Sequence, residues 1–112
     1  MFDVEIHPAV YAELEHSRAW YEEHAGTLGI EFLDEVNKAI ETVRESPLMW
    51  PFRDKGRDIR RYLVHRFPYA VIYRVEGQTI RVIAVMHLRR HPDYWRGRIE
   101  YRTGRFYEPG CS

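Results

Sequence analysis

The sequence predicts an α+β domain in which an antiparallel pair of helices packs on one face of a small, mainly antiparallel sheet. Two segments in the first half place apolar residues at the three- and four-residue spacing of a helix. Three segments in the second half are rich in β-branched and aromatic residues and are separated by turn formers. A short alternating segment precedes the helices, so the predicted order of elements is β-α-α-β-β-β.

The first half contains one strand and both helices. Residues 2–6 alternate apolar and polar side chains, which is the pattern of a half-buried strand. Pro8 suits the first turn of a helix that runs to about His24, and Gly26 ends it. The second helix spans residues 28–45, with an apolar stripe at Leu33, Val36, Ile40 and Val43. Because the connection between the helices is short, they are predicted to form an antiparallel hairpin.

The second half contains the other strands. Residues 46–58 are rich in turn formers and charges, so they predict a loop. Pro68 and a turn around Gly77 separate the strands that follow, which are residues 59–64, 69–75 and 79–86. The last two strands are apolar on both faces, which is typical of inner strands. The domain is predicted to span residues 1–98, and residues 99–112 are predicted to be a poorly ordered tail.

Composition excludes several classes of protein. The chain has 112 residues, 45% of them hydrophobic, which suits one domain with a substantial core. No segment approaches the ~20 apolar residues of a membrane span, and a secretory signal pattern is missing, so we expect a cytoplasmic protein without membrane contact. Cys111 is the one cysteine, which excludes a disulfide framework and a cysteine zinc site. His87 and His91 have a metal-binding spacing only on a helix, which Pro92 opposes, so neither a metal nor a cofactor is expected.

The formal charge is zero, yet the charges are segregated along the chain. Residues 1–52 hold 11 acidic and 3 basic residues, whereas residues 53–112 hold 14 basic and 6 acidic residues. The glutamates of the helices, including Glu13 and Glu35, are predicted to lie mostly on exposed surface. The basic half, which is nearly all arginine, suits either a nucleic-acid-binding face with interleaved aromatics or a set of ion pairs with the helical glutamates. Composition leaves both interpretations open.

A resemblance to a known family is carried by HPAVYAELEHSRAWYEE at 7–23, LGIEFLDEVNKAIETVRESP at 28–47 and IRRYLVHRFPYAVIYRVEGQTIRVIAVMHLRRHPDYW at 59–95. In order and content these stretches resemble the RelE/ParE toxins of bacterial type II toxin–antitoxin systems, in particular the plasmid-stabilisation branch. The resemblance implies a helical hairpin on a sheet and a cognate antitoxin that wraps the toxin and neutralises it. RelE-like members cut mRNA on the ribosome, whereas ParE-like members inhibit DNA gyrase and are not known as nucleases.

A RelE-like nuclease must orient the RNA, stabilise negative charge on the phosphate and move two protons. For these roles the resemblance implies strand arginines, a late arginine and a C-terminal aromatic, which correspond to Arg60 or Arg61, Arg89 or Arg90, and Tyr94 or Trp95. His87 is a further candidate acid or base on chemical grounds, because histidine titrates near neutral pH. The basic residues expected to hold the RNA are Arg53, Lys55, Arg57 and Arg66.

Three functions stay open within this family. The late cluster of Arg, His and Tyr favours a ribosome-dependent mRNA endonuclease, whereas the neutral overall charge argues against one. The alternatives are a non-catalytic inhibitor of DNA gyrase and a degenerate member that only binds its antitoxin. An antitoxin needs an apolar groove on the toxin. The aromatic residues that are candidates to line it, and that core packing would otherwise explain, are Trp20, Tyr21, Trp50 and Trp95.

Overall fold

The computed structural model describes residues 2–90 and 94–98. Two α-helices and a five-stranded sheet make up the fold, which confirms the predicted α+β class. In chain order the elements are β1 (Asp3–Ile6), α1 (Pro8–Ala25), α2 (Leu28–Glu45), β2 (Phe52–Asp54), β3 (Ile59–Leu63), β4 (Tyr69–Glu76) and β5 (Thr79–His87). The predicted tail, residues 99–112, and the residue His91 lie outside the described residues.

The sheet has the strand order β1-β5-β4-β3-β2. The β1–β5 pair is parallel and the other three pairs are antiparallel, so the predicted mainly antiparallel sheet is confirmed. The predicted loop over residues 46–58 is wrong in one part, because β2 pairs with β3 through Phe52 and Asp54. A strand of three residues is too short to carry a readable period, and a single turn of 3₁₀ helix at Lys55–Arg57 follows it directly.

One core layer lies between the helices and the sheet. Phe32 and Val36 of α2 are almost completely buried there against Val71, Tyr73 and Val82 of the sheet. The Tyr73 hydroxyl lies within this layer and donates a hydrogen bond to the Pro47 carbonyl (2.6 Å). Burial raises the pKa of Tyr73 to about 12.

The two helices approach closely near their connection. A Cβ atom added to Gly29 would lie 2.6 Å from the Arg18 carbonyl oxygen of α1, so a side chain at position 29 has no room. Gly26 adopts a φ of 59° where α1 ends, a conformation that favours glycine. The predicted helical hairpin is confirmed, and neither described helix is long and apolar enough to cross a membrane.

A second core layer lies on the sheet face that is turned away from the helices. Ile59, Ile72 and Ile83 are fully buried there, and Trp95, with 1% of its surface exposed, covers them. This layer explains why the centres of β4 and β5 are apolar on both faces, as predicted for inner strands. The short segment at residues 94–98 therefore belongs to the folded domain.

Candidate functional site

A groove arises where α1 borders the far end of β5. The parallel pairing with β1 reaches only from Thr79 to Val82, because β1 has four residues and β5 has nine. His7 donates a last backbone bond to the Val82 carbonyl, and Pro8 then starts α1. The gap beyond has a volume of about 960 Å³, and its lining includes Ala9, Ala12, Glu13, His16, Trp20, Tyr69, Val85, His87, Arg89, Arg90 and Arg98.

Glu13 is the centre of the polar network in this groove. Its side chain is 10% exposed and accepts two hydrogen bonds from the Arg98 guanidinium, at 3.0 and 3.1 Å. It also accepts bonds from the Tyr94 hydroxyl and from the Val85 backbone N–H (3.3 Å). Arg90 lies 3.9 Å away. Glu13 therefore ties residues 94–98 to α1 and supplies the acceptor for a β5 amide that lies beyond the pairing with β1.

Tyr94 is held in its neutral form by this arrangement. Burial raises the pKa of the Tyr94 hydroxyl, and the hydrogen bond to Glu13 raises it further. The Arg90 guanidinium carbon lies 3.7 Å from the centre of the Tyr94 ring, in cation–π geometry. A phenol with a raised pKa that donates to a carboxylate is not a proton acceptor at neutral pH. Tyr94 is thus bound into the network as a donor.

The rim of the groove is more open. The His87 ring accepts a hydrogen bond from the Arg89 backbone N–H through Nδ1 (3.0 Å) and meets Tyr69 edge-on at 5.0 Å. Arg89 is exposed, and its side chain forms no ion pair within residues 2–90 and 94–98. Trp20 is 51% exposed and stacks on His24 at 3.9 Å. The rim thus combines an unpaired cation with an exposed indole.

The candidate catalytic residues fall into two separate places. The late residues His87, Arg89 and Arg90 line the groove, and Tyr94 contacts its lining residue Glu13. Arg60 and Arg61 lie on β3, which β4 separates from β5. Arg60 donates to the carbonyls of Trp50 (2.6 Å) and Leu48 (3.2 Å), and its guanidinium stacks over Phe52. Arg61, its neighbour on the strand, is exposed and makes no ion pair among the described residues. One joint site for all six is therefore not formed.

The candidate RNA-binding residues lie away from the groove and are partly neutralised. Arg66 contacts Glu31 at 3.0 Å and Glu35 at 3.8 Å, and its hydrogen bond lowers the pKa of Glu31. Arg57 lies 3.7 Å from Asp54. Arg53 lies on β2, and the exposed Lys55 begins the turn after it. The structure thus realises some of the ion pairs between the two halves of the chain.

Of the four candidate partner-binding aromatics, one lies open at the groove. Trp20 is half exposed on the rim, whereas Tyr21 packs among Phe32, Phe67 and Tyr69. The other two also pack internally, Trp50 against Tyr62 and Trp95 in the second core layer.

Sequence reasoning named Trp20 and Tyr21 but missed the other groove residues of α1. The prediction that the helical glutamates are mostly exposed is wrong at Glu13 and at Glu35, which is 9% exposed. In both cases the carboxylate pairs with an arginine that is distant in sequence, Arg98 for Glu13 and Arg66 for Glu35. The spacing of residues along a helix cannot predict such a partner. The signal that was available is the spacing of Ala9, Ala12, His16 and Trp20, which places them on one face of α1.

A metal site needs several ligating side chains close together. Within the described part of the chain, no three or more His, Cys, Asp and Glu residues come together as a possible metal site.

Comparison with known proteins gives the family. A family model described as the ParE toxin of the type II toxin–antitoxin system parDE matches residues 4–92. A solved chain of the chromosomal ParDE toxin–antitoxin system from P. aeruginosa is similar in fold, with a TM-score of 0.70 at 14% identity over 79% of this chain and 97% of that one. No curated protein matches the chain. Because the family model spans most of its length, the chain belongs to the ParE toxin family of type II toxin–antitoxin systems.

Proposed function

We propose that this toxin stops growth by binding DNA gyrase, without cutting RNA. The observation that carries the proposal is that two of the four arginines expected to act on RNA, Arg60 and Arg90, and the tyrosine Tyr94 are already engaged within the protein. Arg60 is bound to two backbone carbonyls, and Tyr94 is bound to Glu13 beside Arg90. Membership of the ParE family supports the same target, because gyrase inhibition is the activity that the resemblance to ParE-like toxins implies.

The chemistry of RNA cleavage explains why this engagement matters. Attack of a 2′-hydroxyl on phosphate needs cations that are free to meet the developing charge and a group able to take a proton. The positive charge of a guanidinium bound to Glu13 is partly offset by that carboxylate, and a neutral Tyr94 already donates its hydrogen bond there. A surface that binds a protein target needs neither feature, so a binding mode suits this site better.

A second candidate function, mRNA cleavage, is favoured by one specific observation. His87 and Arg89 are adjacent on the rim, and the hydrogen bond from the Arg89 N–H occupies only the Nδ1 atom of His87. The other ring nitrogen is left to act as an acid or base. A nuclease would need at least these two side chains, one as the acid or base and one as the cation.

A pair of assays separates the two functions. Purified toxin is added to a gyrase supercoiling reaction, and mRNA from cells that express the toxin is mapped for new ends. We expect supercoiling to be inhibited and no new ends to appear. His87→Ala combined with Arg89→Ala should leave mRNA ends unchanged. Intact supercoiling together with cut mRNA that the double variant abolishes would establish the nuclease instead.

We also propose that a cognate antitoxin binds and neutralises this toxin, as the toxin–antitoxin context of the family supports. Co-expression with the antitoxin is expected to restore growth and to yield a stable complex on purification. Growth that stays arrested with both proteins present would contradict this partnership. This test is independent of the gyrase assay, because neutralisation follows from complex formation whatever the target.

A further inference from the structure

We propose that the loop between α2 and β2, together with Phe52, is the surface through which this toxin contacts gyrase. This inference rests on the proposed function, and it adds the place and the chemistry of the contact. We call Leu48, Met49 and Phe52 the loop surface. Its partner is an apolar cleft on gyrase that is bordered by carboxylates.

The loop surface is apolar and open to solvent. Leu48 is 62% exposed, Met49 65% and Phe52 39%. The Arg60 guanidinium links the loop to Phe52, because it donates to the Leu48 carbonyl (3.2 Å) and lies 4.0 Å from the centre of the Phe52 ring. Single exposed apolar residues are common on protein surfaces, whereas several together mark a place where another molecule binds.

The backbone of the loop is fixed from within the domain. The Tyr73 hydroxyl donates to the Pro47 carbonyl (2.6 Å), and Arg60 donates to the Trp50 carbonyl (2.6 Å). Pro47 is buried, and Trp50 packs against a tyrosine of β3, so the residues on either side of the exposed pair are held inside. A loop that is already held in one conformation loses little entropy on binding, which suits it to an interface.

The charge around the loop surface favours an acidic partner. Residues 48–61 hold five basic and two acidic residues. One of the two acidic residues, Asp54, already lies 3.7 Å from Arg57. The exposed Lys55, near Phe52 in sequence, makes no ion pair in the described part of the chain. Carboxylates at the border of a cleft would therefore meet a cation beside the apolar side chains.

A second copy of this chain suits the loop surface less well. The cleft that a second copy offers is the groove between α1 and β5, whose rim carries Arg89 and Arg90. Docking the loop there would bring Lys55 toward these arginines, and like charges repel. Three side chains are also far fewer than the roughly 20–30 residues that each partner supplies to a stable interface of standard size. They suit an anchor that enters a cleft of a larger protein.

The experiment measures how purified toxin inhibits supercoiling by gyrase over a range of concentrations, and how it binds gyrase in the absence of DNA. Leu48→Ser combined with Met49→Ser, the serine pair, removes the apolar anchor. Its matched control is Ile30→Ser combined with Leu63→Ser, which removes two other large apolar side chains, 61% and 54% exposed.

The role of charge is tested separately. Lys55→Glu reverses the exposed cation near the loop surface. Lys38→Glu is the matched control, since Lys38 is also exposed but lies on α2. Circular dichroism and thermal unfolding check the fold of every variant, and Lys55→Glu alone decides the outcome if the serine pair is not folded.

We expect the serine pair to raise both the toxin concentration for half inhibition and the dissociation constant for gyrase at least about tenfold. Lys55→Glu should raise both about threefold or more, and the two controls should stay within about twofold of the parent. The proposal is overturned if a folded loop variant inhibits gyrase like the parent, or if its control is weakened equally.

Two further outcomes would assign the loop surface to a different occupant and so overturn the proposal. Binding that requires DNA, and that Lys55→Glu weakens while the serine pair does not, would assign it to nucleic acid. A toxin dimer in light scattering that the serine pair dissociates would assign it to a second copy.

Failure of this inference is distinguishable from failure of the proposed function. A parent toxin that neither binds nor inhibits gyrase refutes the proposed function, and the loop surface as its contact falls with it. A parent that inhibits gyrase, while the folded loop variants inhibit equally well, refutes the loop surface alone.

Discussion

Helices α1 and α2 each have 18 residues, yet they differ in what they bury. Six residues of α2 are buried, whereas in α1 only Val10 and Ser17 are. Helix α1 instead leaves Tyr11 and Trp20 more than half exposed. The comparison teaches that α2 holds the fold together, while α1 keeps a face free for the groove. The same division orders the expected effects of substitution.

The largest effect is expected in α2. Phe32→Ala removes a fully buried ring from the core between helices and sheet, and it should lower the free energy of unfolding by about 3–5 kcal/mol. Trp20→Ala is the matched aromatic truncation in α1 and should cost less than about 1 kcal/mol, since half of that ring is in water. Urea unfolding followed by circular dichroism measures both. Equal costs would break the proposed division between the helices.

The next effect concerns the buried carboxylate of α1. Glu13→Gln should lower the free energy of unfolding by about 2–3 kcal/mol, because the largely buried Arg98 loses its counter-charge. Glu23→Gln, at an exposed position of the same helix, should be neutral within about 0.5 kcal/mol. Urea unfolding of both variants provides the comparison. A Glu13→Gln protein as stable as the parent would mean that Glu13 does not anchor residues 94–98.

A smaller effect is expected where the helices touch. Gly29→Ala should lower the free energy of unfolding by about 1–2 kcal/mol, because the added methyl group would clash with the Arg18 carbonyl. Asn37→Ala, at an exposed position of α2, should raise stability slightly through helix propensity. Thermal unfolding of the two variants decides the sign. Stabilisation by Gly29→Ala would contradict this expectation, because it would mean that α1 and α2 move apart at no cost to make room for the methyl group.

The smallest effect is a pH dependence at the groove. Because the folded state raises the pKa of Tyr94, its contribution to stability is complete below the ordinary tyrosine pKa near 10 and is lost as the pH rises above it. Tyr94→Phe should therefore lose less stability than the parent between about pH 9 and 11.5. Urea midpoints across this range measure the difference. Burial of Tyr73 gives the same alkaline loss to both proteins, so an identical decline would leave Tyr94 without a role.

Patterns that repeat along the chain predicted most of the fold. The stripe of α2 and the two-faced apolar centres of β4 and β5 are each set by neighbours in sequence, and each was predicted correctly. Strand β2 was missed because it has three residues, which is too few to show a strand period in the sequence.

The site was harder to predict than the fold. His87, Arg89 and Arg90 line the groove together and Tyr94 stacks on Arg90, and this clustering follows from their closeness in sequence. The role of Glu13 does not, because its partner Arg98 is 85 residues away in sequence. A glutamate on a helix has the same local pattern whether it faces water or a distant arginine, so its burial required the three-dimensional fold.

The difference in length between β1 and β5 determines how far the groove extends along β5. The gap starts where Pro8 stops the pairing of β1, so its extent depends on a count of residues more than on any side chain. Inserting two residues before Pro8 would extend the pairing along β5, and deleting two would shorten it. The reach of the groove is therefore set at a single junction, where β1 passes through His7 into α1.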